Sequence, residues 1–225
     1  MPQSKYIIGY PLIVNGIFVY YSDMDKLPED YWIGRGADLI GKEILEEGDK
    51  ARQAPTYQAI AGEICLREFD KILDIGCNVA ALKMFLIAFD HTGVTYFGLD
   101  TNPHAVEHCK ARGLNVALGG LRKLNMPDQS FPCVVIKDVL EHLESLEPAR
   151  EAFRVASEAV ILSFFMAPRP GSEFIERTEA GYFHNRYDEL QVVAIAESCG
   201  FSFEKRIDTF ERGGPMNRTY VFVRG

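Results

Sequence analysis

Residues Lys71 to Ile75 (Lys-Ile-Leu-Asp-Ile) form a short apolar run with an acid at Asp74. Small residues follow at Gly76, Cys77, Asn78, Ala80 and Ala81, and from Leu82 to Phe89 the apolar spacing becomes helical. A strand that passes through a small-residue turn into a helix brings backbone N–H groups close to a ligand. Tyr96-Phe97-Gly98-Leu99-Asp100 reads as a second buried strand ending in a carboxylate. An acid at that place in a doubly wound fold can accept both hydroxyls of a ribose, with Thr101 and Asn102 in the turn beside it. The competing role for Asp100 is a cap on that same turn. The chemistry these residues suit is the binding of a nucleoside cofactor.

A pyrophosphate requires Gly-x-Gly-x-x-Gly, whose middle glycine lets the backbone approach the phosphates. Here Asn78 and then Ala80 or Ala81 follow Gly76, so that pattern is absent. Asp74-x-Gly76 instead resembles motif I of the class I S-adenosylmethionine-dependent methyltransferases, of the small-molecule type, with Asn78 and Ala80 in place of two glycines. Asparagine tolerates positive φ better than other non-glycine residues. A second stretch agrees in order and separation: Asn125-Met126-Pro127-Asp128-Gln129-Ser130-Phe131, then Asp138-Val139-Leu140-Glu141-His142-Leu143.

The resemblance covers about residues 56 to 225 and implies S-adenosyl-L-methionine as cofactor. It implies that Asp74, Gly76, Cys77 and Asn78 lie at the methionine end, and that Asp100, Thr101 and Asn102 lie at the ribose. Asp74 could equally be a structural acid bonded to turn amides, and Cys77 a small packing residue. Where the family often has Gly-Asp for adenine, this chain has Gly119-Gly120, which leaves the base to backbone around Gly120 and to Leu121. Asp138 and Val139, at the carboxyl end of a strand, would line the pocket.

Two histidines are candidate general bases for an acceptor hydroxyl. His142 follows the fourth core strand, where it could also only pack or cap. His184 lies in Tyr182-Phe183-His184-Asn185-Arg186-Tyr187, a segment expected to fold over the edge where an acceptor enters. The alternative for that segment is a helix start with a packed tyrosine.

These residues need an α/β frame. From Lys71 the periods alternate, predicting strands at 71–75, 95–99, 115–118, 133–137 and 159–165, with helices at 79–89, 103–112 and 187–198 between or after them. A helix is expected from Leu140 or Glu141, resuming after Pro148 through Ala156. Final strands at 202–209 and 219–224 flank Gly213-Gly214-Pro215, and the resemblance implies a mostly parallel, Rossmann-like, seven-stranded sheet with an antiparallel last strand. Ahead of this, Tyr6–Val14 and Ile17–Tyr21 around Asn15-Gly16 predict a β-hairpin. A helical stretch from Leu27 to Glu46 follows, Pro55 is expected to break the chain, and a helix is expected over 56–69. Residues 1–55 are read as an extension serving as a lid or a dimerisation surface, and 56–225 as the methyltransferase domain.

The five scattered cysteines are never spaced Cys-x-x-Cys, which argues against a disulfide framework and a zinc site. The net charge of −8 argues against a nucleic-acid partner. No stretch reaches the apolar length of a membrane span, and a cytoplasmic location is expected. No Asp/Asn/Ser-Pro-Pro-Tyr/Phe segment, the mark of base-amine methylating enzymes, stands at Lys137-Asp138-Val139-Leu140. The expected activity is therefore methylation of a small-molecule acceptor, as O-methylation of a sugar-like, hydroxyl or carboxyl compound. The alternatives are a protein methyltransferase, a non-catalytic binding module of the same fold and, more remotely, a nicotinamide dehydrogenase. A homodimer is compatible with either use of the extension.

Overall fold

The computed structural model describes residues 12–14, 17–19, 47–178, 181–210 and 216–225. The strands β1 (Leu12–Val14) and β2 (Ile17–Val19) pair antiparallel, Leu12 opposite Val19. The Asn15-Gly16 turn, the expected helix from Leu27 to Glu46 and the Gly213–Pro215 loop lie outside the described residues.

The domain frame is β3 (Lys71–Ile75), β4 (Thr95–Asp100), β5 (Val116–Leu118), β6 (Phe131–Lys137), β7 (Ala156–Phe164), β8 (Phe201–Phe210) and β9 (Met216–Arg224). They form one sheet in the order β5-β4-β3-β6-β7-β9-β8. The first five are parallel, and β9 inserts antiparallel between β7 and β8. Strands covered on both faces need continuous apolar runs, and Val134, Val135 and Ile136 of β6 are each buried.

Helices cover both faces. On one, Ile60, Ala61 and Ile64 of α1 (Glu47–Leu66), Leu82 and Leu86 of α2 (Ala81–Ala88), and Val106 and Cys109 of α3 (Pro103–Ala111) pack on Ile72, Cys133, Val135 and Ile161. On the other, Ala152 and Phe153 of α4 (Ala149–Val155) and Val192 and Ile195 of α5 (Glu189–Ser198) pack on Leu73, Val134, Ile136 and Phe222. Side chains alternate across a strand, so Asp74 and Lys137 point to the α1 side with Ile72 and Val135.

Local chemistry sets the ends. Asn102 Oδ1 accepts from the His104 N–H at 3.0 Å, and Pro103 opens α3 where its missing N–H costs nothing. Asp188 caps α5 in the same way through the Leu190 N–H.

Three expectations are corrected. Pro55 lies inside α1 rather than breaking the chain; the helix loses one backbone bond there but continues into the turns that bury Ile60 and Ile64. Leu140–His142 is a single 3-10 turn rather than the first turn of a helix, and the helix proper begins only after Pro148. Strand β7 starts at Ala156, directly at the end of α4, three residues earlier than the periodicity predicts.

Candidate active site

The turn from β3 into α2 is left-handed at alternate residues: Gly76 at φ 76°, Asn78 at 47° and Ala80 at 58°. These are the positions where the resembling motif places glycine. The substitutions therefore preserve the turn, at a cost of roughly 1–2 kcal/mol for a residue such as alanine. Gly76 admits no such change. A Cβ there would lie 2.2 Å from Val139 Cγ2, so the loop after β6 is packed directly on the turn. The N–H groups of Gly76 and Cys77 both donate to the Leu99 carbonyl, at 2.8 and 3.0 Å, which ties the turn to β4.

Asp100 at the end of β4 completes the tie. Its Oδ2 accepts from the Asn78 N–H at 2.7 Å and its Oδ1 from the Asn102 N–H at 2.8 Å. Asp100 thus organises both turns, so the capping role and the ribose role coexist. An ionised carboxylate has about four acceptor sites, and those two bonds use one on each oxygen. The donor set fits a ribose diol: two oxygens at a strand end, each with acceptor capacity left. Burial pushes the Asp100 carboxyl up from its ordinary range, against the pull of the Asn102, Asn78 and Thr101 N–H groups.

Asp74 does not bond the turn amides. Its Oδ2 accepts from the Tyr96 hydroxyl at 2.6 Å, below the turn, and only 5% of the residue is exposed. Burial lifts its pKa to about 6, opposed by the Tyr96 bond, raised further by the Asp100 charge and lowered by Lys137. Cys77 is a packing residue. Its sulfur sits against Gly98, where a Cβ would be 2.7 Å from Sγ, and burial pushes the thiol far up.

Gly119 donates to the Asp100 carbonyl at 2.9 Å, and Gly120 lies against the Thr101 methyl, where a Cβ would come to 3.0 Å. Leu121 is buried in the core beneath. Asp138 follows β6 directly, at φ 56°, bonded to the Ser163 carbonyl through its N–H and ion-paired to Lys137.

The two histidines are brought together by Phe165. His142 stacks on that ring at 5.4 Å and His184 stacks on it at 5.4 Å. His142 Nδ1 lies 3.0 Å from the Phe183 carbonyl, and Tyr182 meets the His142 ring edge-on at 5.7 Å. A carbonyl only accepts, so Nδ1 carries a proton and Nε2 is the basic atom of the neutral ring.

The segment carrying His184 is an irregular hairpin, bridged Phe174 to Arg186 and Arg177 to Phe183. The Tyr187 hydroxyl anchors it to the Leu140 and Leu143 carbonyls at 2.9 and 3.0 Å, and Asn185 Nδ2 donates to the Leu143 carbonyl at 2.6 Å. Tyr187 is buried, so the packed-tyrosine reading holds for that residue, but it stands before the helix α5 rather than inside it.

Sequence reasoning passed over Glu141, Lys137, Tyr96 and Tyr57. Glu141 is fully buried, and its Oε1 accepts from the Phe165 N–H at 2.7 Å. Burial, then the Asp138 charge, pushes it well above the usual carboxylate range. The signal was present for Lys137: a lysine closing the apolar run Val134-Val135-Ile136 is a charge at the end of a buried strand. Tyr57, from α1, offered none.

Residues 73–164 match the family model for a methyltransferase domain, a segment that includes the turn, Asp100, Gly120, Lys137, Asp138 and His142 but not His184. A sterol 24-C-methyltransferase of Aspergillus fumigatus is 30% identical over 121 residues, 47% of this chain and 32% of the relative. A protein of Mycolicibacterium smegmatis described as a probable S-adenosylmethionine-dependent methyltransferase is 28% identical over 171 residues, 72% of this chain and 63% of the relative. The chain therefore spans about a third of the first relative and less than two thirds of the second. Among solved structures, the magnesium protoporphyrin IX methyltransferase of Synechocystis PCC 6803 with bound S-adenosylhomocysteine superposes with TM-score 0.67, at 18% identity over 88% of this chain and 98% of that one. The 1,6-didemethyltoxoflavin-N1-methyltransferase of Burkholderia thailandensis gives TM-score 0.61, at 13% identity over 84% and 86%. At such identities these likenesses establish the fold, and the segment that holds the strand, the turn and the acid, residues 73–164, is similar to a methyltransferase domain.

Proposed function

We propose that the protein transfers a methyl group from S-adenosylmethionine to an oxygen of a small-molecule acceptor, a hydroxyl or carboxyl compound. The observation that carries this reading is the Asp100 carboxylate, held by the Asn78 and Asn102 N–H groups with acceptor capacity left on both oxygens. Asp100 would hold the ribose diol, the Gly76–Ala80 turn the methionine end, and the backbone at Gly119 and Gly120 the adenine. The cofactor supplies a methyl group already activated on a sulfonium, so the protein's task is orientation and exclusion of water.

The basic Nε2 of His142, fixed by the Phe183 carbonyl, would take the acceptor's proton as the new O–CH3 bond forms and the S–CH3 bond breaks. His184, on the same Phe165 ring, is the second candidate for that proton. The named substrates of the relatives, a sterol, a magnesium porphyrin and a toxoflavin precursor, support a small-molecule acceptor.

The test is incubation of the purified protein with labelled S-adenosylmethionine and cell extract split into small-molecule and protein fractions. Label in the small-molecule fraction, reduced roughly 100-fold in His142→Gln or His184→Gln if that histidine is the base, is expected. Label confined to protein would move the reading to a protein methyltransferase.

A further inference from the structure

The hairpin that carries His184 has a face whose chemistry the proton transfer does not exhaust. Its bridges, Phe174 to Arg186 and Arg177 to Phe183, lie in one continuous register, and between them the His184 N–H donates to the Glu176 carbonyl at 2.9 Å. Side chains alternate across an extended chain, so Tyr182, His184 and Arg186 share one face and Phe183, Asn185 and Tyr187 the other. Asn185 and Tyr187 are the anchors, bonded to the Leu143 and Leu140 carbonyls. Tyr182 and His184 turn towards the reaction, one against the His142 ring and one on Phe165. Arg186 is the third member of that face, about 7 Å along the chain from His184 at strand spacing.

The Arg186 Nε is buried and donates to nothing, and its guanidinium makes no ion pair among the described residues. Arg154 and Arg218, by contrast, each meet a carboxylate, Glu151 and Asp208. A buried N–H left in that state is costly and calls for an acceptor. Directly opposite in the bridge stands Phe174, 46% exposed, so an apolar ring lies beside the unpaired cation. Arg186 also falls outside residues 73–164, so the methyltransferase likeness does not account for it.

Resting on the proposed methyl transfer to oxygen, we infer that Arg186 binds a carboxylate of the acceptor, which is therefore a hydroxy acid methylated on its hydroxyl. The Nε and one Nη of an arginine form a fork that matches the two oxygens of a carboxylate, and Nε is the half without an acceptor here. The two groups divide the chemistry. A carboxylate is already ionised at neutral pH and needs no base, whereas a hydroxyl does, and His142 Nε2 supplies one. The hydroxyl proton passes to Nε2, its oxygen forms the new O–CH3 bond, the S–CH3 bond breaks to leave the neutral thioether, and the carboxylate is unchanged throughout. Its contact with Arg186 is thus the same in the ground and transition states and contributes to acceptor binding rather than to the rate of the bound complex. The spacing of Arg186 and His184 suits an acceptor whose apolar body separates its two polar groups, with Phe174 offering that body a surface.

The experiment is methyl transfer by the full chain from labelled S-adenosylmethionine to the small-molecule fraction of a cell extract, offered untreated and after a carbodiimide has converted its carboxylates to methylamides. The product from the untreated fraction is expected to be retained by an anion exchanger at neutral pH and to keep its label in alkali, which cleaves methyl esters but not methyl ethers. The amidated fraction should be methylated at least roughly 10-fold less. Arg186→Gln, folded by circular dichroism, should need roughly 10- to 100-fold more of the untreated fraction for its half-maximal rate, with the maximal rate within about threefold, and Arg186→Lys should recover part of the loss. A merely structural arginine would instead lower the maximal rate or the melting temperature and leave the half-saturating amount alone. Label released by alkali, equal methylation of the amidated fraction, or an Arg186→Gln protein with the parent's half-saturating amount would each overturn the inference while leaving methyl transfer in place. Wild-type protein that labels no small molecule in either fraction would overturn the reading on which it rests.

Discussion

Three residues at the β3–α2 turn share one backbone shape with three different side chains, and their sensitivities should differ. Gly76→Ala brings a methyl group to 2.2 Å from Val139 Cγ2 at a φ that alanine resists, so it should destabilise the protein by about 2–4 kcal/mol in urea unfolding. Combined with Val139→Ala, the loss should be smaller than the sum of the two single losses, because the clash is shared. Asn78→Gly should be near neutral, within about 0.5 kcal/mol. Asp74 sets a pH dependence. Its pKa is about 6 in the fold against an ordinary 3.8. The folded state holds that proton more tightly, so the contribution to stability is complete below about pH 4 and is lost as the pH rises to about 6, amounting to about 3 kcal/mol at most. Subtracting the Asp74→Asn stability curve from the wild-type curve should show that fall between pH 4 and 6 and a plateau above; a flat difference would contradict the burial argument. At this scale the site was readable where a residue's type announced its task, as with Asp100 at a strand end. It was not readable where the partner was distant, as with Tyr96 under Asp74.

The element that carries His184 is held by polar groups rather than by regular pairing. Its two isolated bridges, Asn185 and the Tyr187 hydroxyl fasten it to the turn after β6. Tyr187→Phe removes the donor to the buried Leu140 and Leu143 carbonyls and should cost about 1–3 kcal/mol. It should also raise amide hydrogen exchange at Phe183 and His184 more than in the sheet strands; uniform change across the domain would argue against a local anchor. Because the Phe183 carbonyl fixes the His142 tautomer, methyl transfer should fall as well. The strands and the start of α3 were legible, since period and Pro103 are local signals; the Asn102 and Asp188 caps were not read, and α5 begins at Glu189, two residues later than expected. The 3-10 turn at Leu140–His142 was not. Its shape follows from Glu141, whose carboxyl is drawn into the core to meet the Phe165 N–H, a contact made 24 residues away. Pro55 misled for a related reason: burial of Ile60, Ala61 and Ile64 outweighs one missing backbone bond.

Across the whole molecule, seven strands in the order β5-β4-β3-β6-β7-β9-β8 place every candidate group at one edge of the sheet. The Asp100 turn, the Gly76 turn, the Lys137–Asp138 pair and the Phe165 stack follow one another along that edge, from β4 through β3 and β6 to β7. Ligands in open α/β sheets bind at this edge. The alternation of strand and helix made the parallel sheet with helices on both faces legible, but not the order of its strands, which rests on contacts between segments far apart in the chain. The antiparallel placement of β9 between β7 and β8 could be expected only from the family resemblance, since no residue in Met216–Arg224 announces its neighbour. The central claim is that this edge holds S-adenosylmethionine with its ribose on Asp100. Calorimetric titration with S-adenosylhomocysteine, on wild-type protein and on Asp100→Ala shown to be folded by circular dichroism, tests it most directly. The expected result is a single site in the wild type weakened roughly 10- to 100-fold in the variant; folded wild-type protein that takes up no ligand, or a variant that binds as tightly as the parent, would contradict it.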